Sequence, residues 1–376
     1  MAMKRRKLWI FLLLAAALLT GCVLAAGGDA GDPLVSRAYL QDVFAPKAES
    51  AAQDKLDVTG WNAYGAAEAK WRAAVSAADS SAGTERTAVW TEACLKRGDV
   101  ISVSTGAQVL LLAGNADAHF TGGAVVDATD GTELAPGGTL RARHRYLVAE
   151  DTAACCTVTS RTAVVQYCGN YHITCSENTP DYYAMASALR SLSLFRGTDT
   201  GYGGGFDLEA VPSRIQALVM LIRMLGEEQA ALACTAPVPF TDVAENYWGR
   251  PYIAYAYEKG YTNGVEGNKF APDRATSDGM YVEFVLRALG YSDTTQTDVS
   301  TAAERAFTDG IITAGESFAL RANEFLRADV VYLSWYALET PRHGEERTLA
   351  QSLQDAGVFT AADYARACGQ VGSQRL

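Results

Sequence analysis

Residues 240–264 read FTDVAENYWGRPYIAYAYEKGYTNG, and this stretch decides the fold. It opens on Phe240-Thr241-Asp242-Val243, where Asp242 is placed to cap a helix with its carboxylate. Tyr252, Ile253, Tyr255 and Ala256 fall at helical spacing, and Gly260 and Gly264 end the run. Phe270 and Pro272 follow, and a second apolar helix closes with YVEFVLRALG at Gly290. The unit is therefore helix, glycine turn, Phe-x-Pro loop, helix. Trp248, just ahead of the first helix, reads as a core-packing ring, with stacking on a sugar as its other use.

Two flanking segments repeat this plan in weaker form. Residues 182–226 give helix YYAMASALRSLSLF, the glycine-rich loop RGTDTGYGGGFDLEAVP, and helix SRIQALVMLIRMLG. Residues 299–340 give helix TAAERAFTDG, the loop IITAGESFALRANEF, and helix LRADVVYLSWYALET. The period of about fifty to sixty residues is that of an array whose units share one core. Each second helix is apolar around most of its circumference, as at Leu218, Val219, Leu221, Ile222 and Leu225, and so must be buried against others.

The order Phe-Thr-Asp-Val, Trp, aromatic-rich helix, glycine turn, Phe-x-Pro, helix resembles an S-layer homology (SLH) repeat, the module that holds bacterial surface proteins on cell-wall polymers. The resemblance covers about half of the chain. It implies three repeats (182–226, 240–290, 299–340) around a pseudo-threefold axis, their second helices forming a central bundle with grooves between repeats. The family signature, Thr-Arg-Ala-Glu at the start of the second helix, has a direct physical reading. The Thr and Glu form a capping box. The Arg then stands at the first helical position beside unpaired backbone N–H groups, where a guanidinium can grip a carboxylate bidentately. The ligand this implies is a pyruvylated sugar of an anionic secondary cell-wall polysaccharide.

This chain keeps Ser213-Arg214-Ile215-Gln216 and Leu326-Arg327-Ala328-Asp329, whereas the middle repeat has Thr276-Ser277-Asp278-Gly279, a cap without the Arg. Arg274 stands nearby in sequence. The expected polysaccharide-binding residues are Arg214, Arg327, Ser213, Gln216, Asp329 and Trp248. Each Arg is expected at an exposed helix start, where its loss leaves folding almost unchanged. The plainer alternative for an Arg in such a place is a solvated surface residue.

Working outward, the N-terminus reads as an export signal. Lys4, Arg5, Arg6 and Lys7 precede an uncharged apolar run from Leu8 to Leu19, too short to span a bilayer comfortably. Leu19-Thr20-Gly21-Cys22 resembles a lipobox that closes the signal segment 1–22, with Cys22 the acylation site and the new N-terminus. The small-residue ending Val23-Leu24-Ala25 offers ordinary cleavage instead. On either route the mature protein is extracytoplasmic. The formal charge of -11 becomes -15 once the four basic residues are removed. No Lys/Arg cluster then remains, which argues against nucleic acid and leaves a membrane only through the lipid. Seven further cysteines, an odd number, include no CxxC pair. Cys168, His172 and Cys175 suggest a metal site on paper, but small buried strand residues are the better reading.

Residues 29–80 read as a helical segment, rich in Ala and helix formers. The region 85–175 changes to short β-type runs, VISVST, QVLLLAG, AVVDATDG, TLRARHRYLVAE, CCTVTS and TAVVQY, broken by turn residues. This is the pattern of a β-sandwich or barrel-like domain. His144 among Arg141, Arg143 and Arg145 reads as an exposed polar strand face, or else as a basic strand end that takes a ligand. The linker SENTPD (176–181) leads into the repeats (182–340), and a helical tail (341–376) packs on the last of them.

The whole is a multidomain α+β chain: helical segment, β-rich domain, all-α three-repeat module. No nucleophile motif, paired-carboxylate arrangement or phosphate loop occurs in the β region, so a non-enzymatic surface protein without cofactor or metal is expected. Its expected partners are the wall polysaccharide and other surface-layer proteins. The rival reading is a surface lipoprotein whose β domain binds a sugar, peptide or protein partner and whose SLH-like module is only a scaffold.

Overall fold

The computed structural model describes residues 45–48, 85–150, 152–177, 179–198, 200–292, 299–372 and 375–376. The expected signal segment, Cys22 and, apart from an exposed helical turn at 45–48, the expected helical segment lie outside the described residues. All that follows belongs to the compact unit Gly65–Leu376.

The β domain is a ten-stranded, barrel-like sheet. Its strands are β1 (Glu85–Lys96), β2 (Val100–Ser104), β3 (Gln108–Ala113), β4 (Ala116–Phe120), β5 (Ala124–Asp127), β6 (Thr132–Leu134), β7 (Gly138–Leu140), β8 (His144–Ala149), β9 (Ala153–Val158) and β10 (Thr162–Thr174). The order is β6-β5-β8-β3-β10-β2-β9-β4-β7, with β1 also on β10. β10 belongs to both halves: Val164 to Cys168 pair with β3, and Tyr171 to Thr174 pair with β2. Alternation explains the inside. Ile101, Val103, Val109, Leu111, Tyr146 and Val148 turn inward while their neighbours are half-buried or exposed. The β-type runs fall on strands, but β4 (ADAHF) gave no signal in the sequence. Its inward residues are Ala116, Ala118 and Phe120, and it lacks the β-branched residues that mark a strand.

Beyond residue 181 the chain is helical. The helices are α1 (Tyr182–Ser191), α2 (Arg214–Met224), α3 (Glu228–Leu232), α4 (Arg250–Glu258), α5 (Asp278–Ala288), α6 (Ala302–Thr308), α7 (Ala314–Ala322), α8 (Arg327–Ala337), α9 (Leu349–Asp355) and α10 (Ala361–Gln370). Three of them, α2, α5 and α8, are eleven residues long and almost wholly buried. They form the core: α2 packs on both α5 and α8, and the hydroxyls of Tyr281 (α5) and Ser334 (α8) hydrogen-bond at 2.8 Å. Burying a large apolar side chain fully is worth about 1.5–3 kcal/mol, so these helices supply most of the module's stability. Two carboxylates tie their outer ends, Glu228 half-buried and Glu283 buried. Glu228 takes Arg223 Nε at 2.8 Å and the Tyr252 hydroxyl at 3.0 Å; Glu283 takes Arg287 Nε at 2.7 Å, the Ser292 hydroxyl at 2.8 Å, and Arg305.

Two local expectations are corrected. Residues 314–322 are a helix, α7, where a loop was expected; Thr313 and Glu316 form a capping box that starts it. Asp242 does not cap α4, which begins only at Arg250. Its carboxylate instead accepts the N–H groups of Phe270 (2.8 Å) and Ala271 (2.7 Å), fastening the Phe-x-Pro loop.

Candidate functional site

The expected anion-gripping arginines both stand at the first position of a core helix, and both are buried, at 4% exposure. This corrects the expectation of exposed arginines, and the cause lies in the neighbouring loops. At α2, the Arg214 N–H donates to the Arg274 carbonyl (2.8 Å) and the Ile215 N–H to the Pro272 carbonyl (3.1 Å). At α8, the Arg327 and Ala328 N–H groups donate to the carbonyls of Ala210 (2.9 Å) and Leu208 (3.0 Å). The groups expected to be free for an anion are thus used by the chain itself. A loop that docks its carbonyls on a helix start also covers the side chain there.

The Arg214 guanidinium lies over two rings, Phe270 at 5.1 Å and Phe284 at 4.8 Å. Its Nη2 donates to the Thr262 hydroxyl at 3.3 Å and the Gly264 carbonyl at 3.4 Å, both long for a charged donor. Its Nε has no hydrogen-bond partner, and neither does the buried hydroxyl of Thr276 at the same joint. Burial, with the charges of Arg274 and Arg287, lowers its pKa to about 10. Gly264 makes the joint possible: at φ +79° it holds a conformation that other residues resist, and an added Cβ would lie 2.3 Å from Phe240.

Arg327 is better served. Its Nε donates to the Phe206 carbonyl at 3.2 Å, and its guanidinium lies 5.9 Å from the Phe195 ring. Burial lowers its pKa, against the pull of Asp207.

The other expected site residues separate. The Ser213 N–H donates to Gln216 Oε1 at 2.9 Å, so that half of the capping box is present, and Gln216 is exposed beside Arg214. Asp329 accepts the Leu326 N–H at 2.7 Å, but it is only 5% exposed and is held by Arg161, from the β9–β10 turn, at 3.0 Å. It therefore belongs to the seam with the β domain. Burial raises its pKa to about 6 in spite of Arg161. Trp248 is 59% exposed, contrary to the core-packing expectation, with Tyr247 and Tyr252 as ring neighbours. Thr276 does not cap α5; Ser277 does, accepting from Met280 N at 3.3 Å. Asp278 consequently occupies the first position, where α2 and α8 carry arginine. Arg274 is exposed and belongs to the Arg214 joint through its carbonyl. Thr262 gave no signal in the sequence because it meets α2 only through the fold, whereas the sequence marks Arg274 and Thr276 only by their places before α5.

In the β domain Arg141, Arg143 and Arg145 are exposed and Tyr146 and Val148 are buried, as an exposed polar strand face alternating with core residues requires; His144 is half-buried. His144 Nδ1 lies 2.8 Å from Asp127 Oδ2, and Arg141 bridges Asp127 (2.9 Å) and Asp130. Asp127, Asp130 and His144 bring donor atoms close enough for a cation, but the Arg141 guanidinium already bridges both carboxylates there. Among the seven described cysteines, Cys175 and Cys368 are exposed and Cys156 alone is buried, so burial is not their common property.

Residues 239–277 match the S-layer homology domain. That segment supplies one side of the Arg214 joint, from Asp242 and Trp248 through Thr262, Gly264 and Phe270 to Arg274 and Thr276. Over 109 residues, 29% of its length, the chain is 34% identical to a cell surface protein of Thermoanaerobacter kivui, covering 14% of that protein. It is 27% identical over 109 residues to a surface layer protein of Brevibacillus choshinensis, covering 10% of it. The chain thus spans no more than about a seventh of the curated relatives it matches. It bears an SLH region and is a cell-surface protein, extracytoplasmic and associated with the cell wall. No helix among the described residues is long and apolar enough to cross a membrane.

Proposed function

We propose that this chain is a non-enzymatic surface protein held on the bacterial cell wall by three SLH-like repeats. The polymer groove is the Arg214 joint, and the ligand is an anionic, pyruvylated secondary cell-wall polysaccharide. The observation that carries this is the underserved guanidinium of Arg214. It is buried, has an unpartnered Nε and only long bonds, and sits beside exposed Arg274 in a chain of net charge -11. Such a group attracts a carboxylate strongly, because a charge-assisted bond there replaces contacts that are poorly made. Exposed Trp248 and Gln216 flank the joint as sugar-contacting positions. Arg327, whose Nε is hydrogen-bonded to the Phe206 carbonyl and whose neighbour Asp329 is taken by Arg161, contributes less.

The test is sedimentation of the purified chain with wall sacculi before and after removal of the secondary polymer. Binding that disappears with the polymer supports the reading; equal binding to stripped sacculi refutes it. The rival, a lipoprotein anchored at Cys22 whose β domain binds the partner, is favoured by one observation. The first N–H groups of α2 and α8 are spent inside the fold, as in a scaffold. Failure of the chain to bind either form of sacculi gives that reading the lead.

A further inference from the structure

Asp278 stands where α2 and α8 carry the arginines that fill their joints, yet a guanidinium is present between α5 and α8 all the same. It comes from Arg375. Its Nε donates to Glu316 Oε1 at 2.7 Å, and its Nη2 to Glu316 Oε2 at 3.0 Å and to the Ile311 carbonyl at 2.6 Å. The charge lies over the Tyr336 ring at 4.9 Å. The accepting carboxylate is 2% exposed and is itself fixed by the Tyr332 hydroxyl (2.9 Å) and the Thr313 N–H (2.7 Å).

The next residue is read as well. The Leu376 N–H donates to the Tyr332 hydroxyl at 2.8 Å, and the Thr313 hydroxyl donates to the Leu376 carbonyl. Gly315 gives the backbone room: a Cβ there would stand 2.8 Å from the Leu376 carbonyl carbon. A planar fork on a buried carboxylate, a ring beneath it, and one hydroxyl on the N–H and another on the carbonyl oxygen of the following residue form a recognition set for an arginine-containing segment.

We propose that Thr313, Gly315, Glu316, Tyr332 and Tyr336 form an arginine-selective peptide pocket, filled in this protein by its own residues 375–376 as a strap across the α5–α8 joint. The pocket reads the guanidinium through charge and fork, and the following residue through its backbone only. The short connection from α10 gives the strap a high effective concentration, so the intact chain resists a competing peptide.

The experiment uses the full chain carrying Arg375→Ala and a fluorescently labelled peptide of sequence VGSQRL, which corresponds to residues 371–376. Fluorescence anisotropy is expected to show saturable binding to the Arg375→Ala chain and binding at least tenfold weaker to the wild type. A peptide with Lys in place of Arg is expected to bind roughly tenfold more weakly, because ammonium lacks the fork. Adding Glu316→Gln to the Arg375→Ala chain is expected to abolish binding. Equal binding of peptides with Arg and with Ala, or no binding to a chain whose circular dichroism matches wild type, overturns the proposal. Should Arg375→Ala misfold, refolding in millimolar VGSQRL is the second measurement. Rescue by this peptide and not by VGSQAL supports the pocket, and no rescue overturns it.

Discussion

Removing the Arg214 side chain tests whether it is a fastener of the fold as well as a ligand group. In Arg214→Ala the joint loses two cation–π contacts, at 5.1 and 4.8 Å, each worth about 0.5–2 kcal/mol when desolvated. It also loses two long hydrogen bonds, at 3.3 and 3.4 Å, and leaves the Thr262 hydroxyl and Gly264 carbonyl with one donor fewer, roughly another 1 kcal/mol. A gap opens between Phe270 and Phe284, and truncating a large buried side chain costs about 2–5 kcal/mol. Against these stands the relief of no longer burying a charge, which is of comparable size for a guanidinium without a carboxylate partner. The expected net destabilisation is about 2–4 kcal/mol, or roughly 5–15 °C in Tm for a module of this size. Arg214→Met keeps the stem between the rings and drops the charge, so it should lie within about 1.5 kcal/mol of wild type. Thermal melts by far-UV circular dichroism give the stabilities. Hydrogen exchange of the Arg214 and Ile215 amides reports the joint itself, since their bonds run to the Arg274 and Pro272 carbonyls. If Arg214→Ala melts within about 0.5 kcal/mol of wild type with those amides still protected, the fastening argument is wrong. The methionine variant then separates the roles: a stable Arg214→Met chain that no longer sediments with sacculi assigns binding to the charge.

The Asp329 carboxylate has a folded pKa of about 6 against 3.8 in the unfolded chain, so the native state binds the extra proton between those values. The stabilisation is present at low pH and is lost as pH rises through 6; the advantage of wild type over Asp329→Asn should be larger at pH 4.5 than at pH 7.5, on the order of 1–2 kcal/mol by urea midpoints, and a flat difference would show that Asp329 does not titrate this way. Gly264→Ala forces a Cβ to within 2.3 Å of Phe240 and 2.5 Å of the Lys269 carbonyl at a positive φ, so it should lower the helical melt by more than about 1 kcal/mol; an unchanged melt refutes the close packing. Mass spectrometry of the mature N-terminus should find a diacylglyceryl group on Cys22; a free terminus at Ala26 rules out the lipid.

The sequence alone determined the fold class. Apolar residues recur around most of the circumference of α2, α5 and α8, and a helix of that kind has no stable place except inside others. The alternation of β2, β3 and β8 likewise gave a sheet with one face inward. Asp242, Trp248 and Thr276 show where local pattern stops. Each was assigned a role from its neighbours in sequence, and each takes another from residues it meets only in space or from solvent: the Phe-x-Pro loop for Asp242, exposure for Trp248, the Arg214 joint for Thr276. The arginines show it most plainly. Their position at a helix start is readable, because helix starts obey short-range rules. Whether the N–H groups there stay open depends on which loop carbonyls reach them, and that is fixed by long-range packing. The tertiary structure therefore decided that Arg214 and Arg327 are buried between segments, that Asp329 answers to Arg161 of the β domain, and that the α5–α8 joint takes its guanidinium from Arg375, about forty residues beyond α8.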